Sequence, residues 1–345
     1  MRRGCIGVAF LAAALVACGG GGGRQAGLEP DDEEVDPQSG IRVDGSSTVF
    51  PILREARSRF AQGNNAPISL RVSGTGGGFR RFCLGETTIN AASRPIVDHE
   101  AQECRDHDPP IEFVEIPIAY DGIAVVVHPA NYWADAMTVE QLARIWEPAA
   151  ANRVTRWSDI DEDWPQQPIH LYGPGTQSGT YDYFAQVVVG GDRLRADYTA
   201  SEDDNYLVRR VRRDPQGISF FGYAYYAGNR GRLKVVRISD QNELNGEGAI
   251  APSPQSVAAG EYQPLSRPLF LYVNRSALDR QPVQDFVEMV LTNPQSIVPE
   301  AGYITLRPRA YELALGRLRD KQTGSSFMGA RLSEGLTVEL LLEHH

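Results

Sequence analysis

Three short stretches of this chain set hydroxyls and glycine just ahead of a helix-like run: Ser46-Ser47-Thr48, Ser73-Gly74-Thr75-Gly76-Gly77-Gly78 and Ser178-Gly179-Thr180. The first N–H groups of a helix lack partners within it and concentrate positive potential, hydroxyls add donors, and glycine lets the main chain come close. This is chemistry for gripping a small oxyanion. One such turn is common. Three in one chain, with no catalytic signature beside any of them, point to a shared tetrahedral anion, because a compact ion needs donors from several directions. The chain reads first as a binder.

The groups an enzyme would need are not assembled in sequence. There is no G-x-S-x-G elbow, no H-E-x-x-H and no G-x-x-x-x-G-K-[ST]. Gly173-Pro174-Gly175 imitates a dinucleotide turn, but Ser178 stands where the third glycine belongs. His128 and His170 read as strand-end or core histidines without a nucleophile partner. His99, Cys104 and His107, with Asp98, Glu100, Glu103, Asp106 and Asp108, match no standard zinc spacing and read as a solvated acidic loop. No metal and no cofactor are expected. The alternatives kept beside the binder are an exported phosphatase-like or esterase-like enzyme, and a surface lipoprotein that uses its fold for adhesion or signalling.

The N-terminus carries an export address. Arg2 and Arg3 precede an apolar run from Ile6 to Val16 that is shorter than the roughly 20 residues a membrane span needs. Leu15-Val16-Ala17-Cys18 resembles the lipobox of bacterial lipoproteins, which implies a diacylglycerol on the Cys18 sulfur; stable anchoring takes at least two acyl chains. Residues 1–18 are thus a lipoprotein signal peptide. Residues 19–40, with Gly19 to Gly23 and Asp31-Asp32-Glu33-Glu34, are a flexible tether with little to bury. Leu342-Glu343-His344-His345 (342–345) reads as a tag remnant and is kept out of any metal argument.

With signal and tether removed, about 300 residues remain, enough for two ordinary domains. The net charge of −10, without a basic stripe, argues against nucleic acid as a partner and leaves an anion to be held by local geometry. Of four cysteines, Cys5 leaves with the signal and Cys18 takes lipid, so Cys83 and Cys104 remain as an even pair in an oxidising compartment. Their disulfide would close a loop of about 20 residues, worth about 3 kcal/mol.

The elements that must position these residues alternate. A strand over 41–43 feeds the first turn and a helix over 51–62, whose Ile52, Leu53, Ala56 and Phe60 share a face. A strand over 68–72, the glycine-rich turn and a helix over 77–84 repeat the unit. The region 116–128 contains the unbroken apolar run Ile123 to Val127, the mark of a strand covered on both faces. Thr138 opens a helix with Gln141 three residues on, a capping box. A strand over 169–172, helices over 181–189 and 203–213, strands over 217–226, 233–238 and 269–273, and a helix from Pro282 to Leu291 complete the pattern. This is an α/β layer architecture.

These residues resemble the PstS-type phosphate-binding proteins of bacterial ABC transporters, within the two-domain periplasmic binding proteins of type II fold. The likeness rests on Asp44 to Pro51, Ser73 to Gly78, Ala92-Ser93-Arg94-Pro95, Thr138 to Leu142, Trp157 to Ile160, Ser178-Gly179-Thr180 and Gly217 to Tyr223. It implies a cleft between domains joined by two crossing strands, with domain I at 41–125 plus 266–341 and domain II at 126–265. It also implies a monomer, lipid-anchored in the periplasm or on the outer cell surface, that captures inorganic phosphate and passes it to an ABC transporter permease. Thr48, Thr75, Ser178, Gly179 and Thr180 carry over as phosphate-binding residues, with Ser47, Val49 (through its N–H) and Ser93 beside them. Two departures stand out. Many family members place an acid where this chain has Ser93-Arg94, and an arginine where it has Pro174. Arg94 is therefore the expected cation, its planar fork suited to phosphate.

Stripping water from phosphate costs tens of kcal/mol in the idealised limit, and three helix termini at about 0.3–1 kcal/mol each do not cover it. Eight to ten charge-assisted hydrogen bonds at about 1.5–3 kcal/mol each, with an arginine, leave the about −8 kcal/mol of micromolar binding. Dense coordination from both domains is required. Telling phosphate from sulfate or molybdate needs a buried acceptor for the phosphate proton, and Asp44, Asp121 and Asp182 are the candidates.

Overall fold

The computed structural model describes Met1, Asp36 and residues 39–176, 178–330 and 337–344. The chain divides into Met1–Pro30 and Asp31–His345, and the fold and the site belong to the second unit. The export signal with Cys18, and all but the end of the tether, lie outside the described residues.

Eleven strands are present among the described residues: β1 Ile41–Gly45, β2 Ile68–Leu70, β3 Ile89–Ala92, β4 Phe113–Val127, β5 Ala136–Thr138, β6 His170–Gly173, β7 Thr199–Ala200, β8 Gly217–Gly222, β9 Lys234–Val235, β10 Arg237–Ser239 and β11 Ser266–Asn274. Nine form one sheet in the order β2-β1-β3-β11-β4-β8-β6-β7, with β9 also on β4; β5 and β10 pair separately. The parallel trio β1, β2 and β3 is joined through antiparallel β11 to β4. On the far side, β8 lies antiparallel to β4 and parallel to β6.

The 15-residue β4 connects the two halves. All its residues are buried, as its apolar run requires. From Phe113 to Gly122 it pairs with β11, and from Ile123 to Val127 with β8. Two departures from the sequence pattern follow from what lies along the edges of β4. The strand expected over 217–226 stops at Gly222, the partner of Ile123; further along that edge of β4, Tyr120 bonds to Ile304 through both its backbone groups, and Tyr223–Ala227 coils into a helix. The strand expected over 233–238 breaks at Val236, where the chain leaves β4 as β9 and joins β5 as β10.

Five helices position the turns: α1 Phe50–Phe60, α2 Thr75–Cys83, α3 Asp98–Asp106, α4 Val139–Trp146 and α5 Gly179–Phe184, the last continued by a π-helical turn over Ala185–Val189. Ile52, Leu53, Ala56 and Phe60 form the buried face of α1. The Thr138–Gln141 capping box starts α4, each side chain accepting from the other's backbone N–H. The acidic stretch around Cys104, read from sequence as a loop, is helix α3. Ala101 and Cys104 face its interior, and Cys104 is joined to Cys83 at the end of α2 by a disulfide. A closing helix, Val338–Glu343, buries Leu342, so the packed structure runs past position 341 into the residues read as a tag remnant.

Candidate functional site

The first turn follows β1, the second follows β2, Ser93-Arg94 follows β3 and the third turn follows β6. All four leave the carboxyl ends of strands that run parallel to their neighbours, the edge at which open α/β sheets bind ligands.

Asp44 builds the first corner. Its Oδ1 accepts from the N–H groups of Gly45 (2.7 Å) and Ser73 (3.0 Å), and its Oδ2 from Arg81 (2.8 Å), which ties the first turn to the second. The contact admits no side chain at two points: a Cβ on Gly45 would lie 2.1 Å from the Ala91 carbonyl, and one on Gly78 2.6 Å from the Gly45 Cα. Helix α2 therefore starts directly against the end of β1.

Within the first turn, Ser46 Oγ accepts from Thr48 N–H, and the Ser46 carbonyl accepts from the N–H groups of Val49 and Phe50, each at 3.2 Å. The Val49 N–H expected to reach a ligand is thus engaged inside the turn. In the second turn, Thr75 Oγ1 lies 3.1 Å from Ser93 Oγ and accepts from Ser93 N–H at 3.2 Å, so two residues from separate motifs meet. In the third, Ser178 caps α5 by accepting from Thr180 N–H at 3.2 Å.

The first and third turns touch. A Cβ on Gly179 would stand 2.2 Å from Thr48 Oγ1 and 3.2 Å from Ser47 Oγ. Glycine is needed here because a hydroxyl side chain from the other half of the sheet already fills the space.

Arg94 is placed differently from its expected role. Its fork is taken by Glu100, with Nη2 to Oε1 at 2.7 Å and Nη1 to Oε2 at 2.9 Å, and Nη1 also donates to the Pro95 carbonyl. Glu100 is buried and its Oε2 accepts the Val97 N–H at the start of α3. The pair with Glu100 holds the guanidinium above its ordinary pKa, against the opposing effect of burial. Arg94 is a fastener between the end of β3 and α3.

The cation between the turns is Arg267, at the start of β11. Its Nη2 donates to Thr48 Oγ1 (3.2 Å) and, at 3.4 Å, to the Gly179 carbonyl; Nη2 and Nε both donate to Asp121 Oδ2 (3.2 and 3.3 Å). Its Cζ lies 3.8 Å from the centre of the Tyr183 ring on α5. The Tyr183 hydroxyl donates to the Pro264 carbonyl, in the segment that leads into β11. Sequence reading passed over Arg267. The available signal was an arginine at the head of an otherwise apolar strand, and nothing in the linear order brings position 267 to positions 48 and 179.

Of the acidic candidates, Asp121 is almost wholly buried, and burial pushes its carboxyl up while Arg267 opposes the rise. Asp182 is exposed. His170 sits at the opposite end of β6, against Asp214 (2.7 Å), and the Nδ1 of His128 accepts from Ala130 N–H, so neither is near the turns. Among the described residues no three His, Cys, Asp or Glu side chains are grouped to hold a metal.

Residues 29–293 match the PBP superfamily domain. The chain is 42% identical over 304 residues to the protein SphX of Synechocystis sp., covering 87% of this chain and 88% of that one. It is 35% identical over 308 residues to the phosphate-binding protein PstS of Staphylococcus saprophyticus, covering 89% and 90%. Among solved structures, a possible phosphate binding protein from Planctomyces limnophilus superposes with a TM-score of 0.74 at 40% identity, over 82% of this chain and 98% of that one. The chain belongs to the PBP superfamily and, within it, to the PstS-type group, with the two-domain α/β fold of that group. These are binding proteins rather than enzymes.

Proposed function

We propose that the protein captures inorganic phosphate where the three turns converge, and passes it to an ABC transporter permease. The observation that carries this reading is the approach of Gly179 to Thr48 with Arg267 between them, which gathers an arginine, hydroxyls and a helix start from both halves of the sheet. In this reading Thr48, Thr75, Ser93, Ser178, Gly179 and Thr180 supply donors, Ser47 lines the approach, and Arg267 takes the cationic role first assigned to Arg94. Phosphate drawn into the junction would exchange the Arg267–Thr48 bond for charge-assisted bonds of its own.

The halves of the sheet that meet at β4 act in this reading as lobes, domain I at 41–125 with 266–341 and domain II at 126–265. Closure of one on the other completes the coordination. The names of the relatives support phosphate as ligand, and the export signal supports an extracytoplasmic protein anchored through a lipidated Cys18; a monomer is part of the same proposal. No helix among the described residues is long and apolar enough to cross a membrane.

Calorimetric titration of the unlipidated protein with inorganic phosphate tests the reading. Saturable binding at about micromolar strength or tighter is expected. Trp146 packs edge-on against Phe184 of α5, so its fluorescence should change in the same titration. Absence of binding, together with turnover of a phosphate ester, would favour the enzyme alternative.

A further inference from the structure

A buried polar row crosses one half of the sheet. Asp44 of β1 lies directly across from Asn90 of β3, Asn90 from Tyr272 of β11, and Tyr272 from Glu115 of β4. None is more than 1% exposed. Three of the four are well bonded. Asp44 takes donors from Gly45, Ser73 and Arg81. The Tyr272 hydroxyl donates to Glu115 (2.6 Å) and accepts from the Ile96 N–H (2.9 Å), and Glu115 also accepts from the Ser326 N–H (2.8 Å) and the Ser325 hydroxyl. Asn90 is the exception. Among the described residues neither its Oδ1 nor its Nδ2 has a hydrogen-bond partner.

An interior amide left unpaired costs stability, and leucine would fill nearly the same volume without that cost. The neighbours of Asn90 give its polarity a reason. A Cβ on Gly45 would lie 2.6 Å from Asn90 Oδ1 and one on Gly78 2.1 Å from it, so the oxygen occupies the space that both glycines leave. Gly45 ends β1 at the head of the first turn, and Gly78 lies in the opening turn of α2, just after Thr75 of the second. A carbonyl oxygen is smaller than a methyl group and accepts weak Cα–H contacts, which lets two main chains close on it. That spacing matters to an ion, because the first N–H groups of α2 and the Thr75 hydroxyl act beside the first turn only while α2 starts against β1. Local rules of packing and polar pairing are broken most often where function requires it. We propose that Asn90 is a positioning residue of the anion site, its amide oxygen fixing how closely the second turn stands to the first. The inference rests on the phosphate-binding reading above and adds a residue that acts through the two turns without touching the ion.

The test is calorimetry with inorganic phosphate on the wild-type chain and on Asn90→Ala, with a cooperative thermal melt to show that the variant is folded. Asn90→Ala should lose at least about tenfold in phosphate affinity, since a shift of about 1 Å is enough at a preorganised site. A double-mutant cycle separates positioning from general loosening. Thr75→Ala, in the second turn, should weaken phosphate at least about fivefold in the wild type and less than about twofold in Asn90→Ala, whereas Ser178→Ala, in the third turn, should cost the same in both backgrounds. Additive effects of Asn90→Ala and Thr75→Ala overturn the proposal, as does wild-type affinity in folded Asn90→Ala. A Thr75→Ala that costs the wild type nothing overturns it too, because no second-turn donor then needs positioning. Asn90→Leu restores the volume without the polar atoms and serves where Asn90→Ala does not fold. The same loss of affinity is expected in it, and unchanged binding overturns the proposal equally. If the wild type binds no phosphate, the phosphate reading itself has failed.

Discussion

Around the second turn, polar groups find partners at short range within one half of the sheet: Thr75 meets Ser93, Arg81 meets Asp44, and Arg94 meets Glu100. At the junction of the first and third turns, Arg267 reaches from β11 to Thr48 on one side, and to the Gly179 carbonyl and Tyr183 ring on the other. Both regions hold an arginine paired to a buried carboxylate. The difference lies in what else the guanidinium touches. Arg94 gives its remaining hydrogen bond to Pro95, its own neighbour, whereas Arg267 gives its to the two turns that approach from opposite halves. An ion pair with all its donors inside one half of the sheet fastens that half, and one that spends a donor on the other half would, in the proposed reading, respond to an anion at the junction.

The largest effect that would sharpen this contrast is expected from Arg267→Ala. Truncating one member of a buried, hydrogen-bonded charge pair at a binding site costs about 2–5 kcal/mol, which corresponds to a loss of about 30- to 5,000-fold in phosphate affinity. Equilibrium dialysis with labelled phosphate reads this directly. A loss below about threefold would break the contrast and return the cationic role to another residue.

Gly179→Ala should come next. The added methyl would sit 2.2 Å from Thr48 Oγ1 and 3.3 Å from its Cβ, so the Thr48 side chain must turn away from Arg267 or the two turns must part. Phosphate binding should weaken about tenfold, while the melting temperature of the ligand-free protein moves by no more than about 2 °C, because without ligand the Thr48 side chain is free to give way. If affinity holds, the close approach of first and third turns is not part of the bound state.

Much of this was legible from residue order. The three turns, the buried strand at Ile123 to Val127, the α4 capping box and the Cys83–Cys104 pair each depend on local pattern or on simple elimination, and the structure contains them. The cation was not legible. A guanidinium suits an anion site wherever the chain delivers it, and Arg94 stood beside a motif residue while Arg267 stood alone ahead of an apolar strand. The fact that decides between them, a carboxylate six residues from Arg94 on the first turn of α3, depends on 98–106 being a helix. The acidic composition of that stretch disguised it as solvated loop, whereas Glu100, Ala101 and Cys104 form a buried face and the disulfide ties it to α2. The break of the 217–226 run was equally hidden, since it follows from Ile304, distant in sequence, taking that edge of β4 at Tyr120.

Arg94→Ala closes the comparison from the other side, with the smallest expected effect on binding. The side chain is 37% exposed, so solvent screens part of its pairing with Glu100, but the Glu100 carboxylate is 5% exposed and would retain only the Val97 N–H among its present donors. The cost to stability is about 1–2 kcal/mol, a small drop in melting temperature for a domain of this size, and the disulfide from Cys104 keeps α3 tied to α2. Phosphate affinity should stay within about threefold of wild type, because no donor of Arg94 points toward Thr48 or Gly179. The decisive outcome is the opposite one, a protein with normal melting behaviour and affinity reduced about 100-fold. It would mean that Glu100 releases Arg94 when phosphate enters, and that the second turn, not the junction of the first and third, supplies the charge.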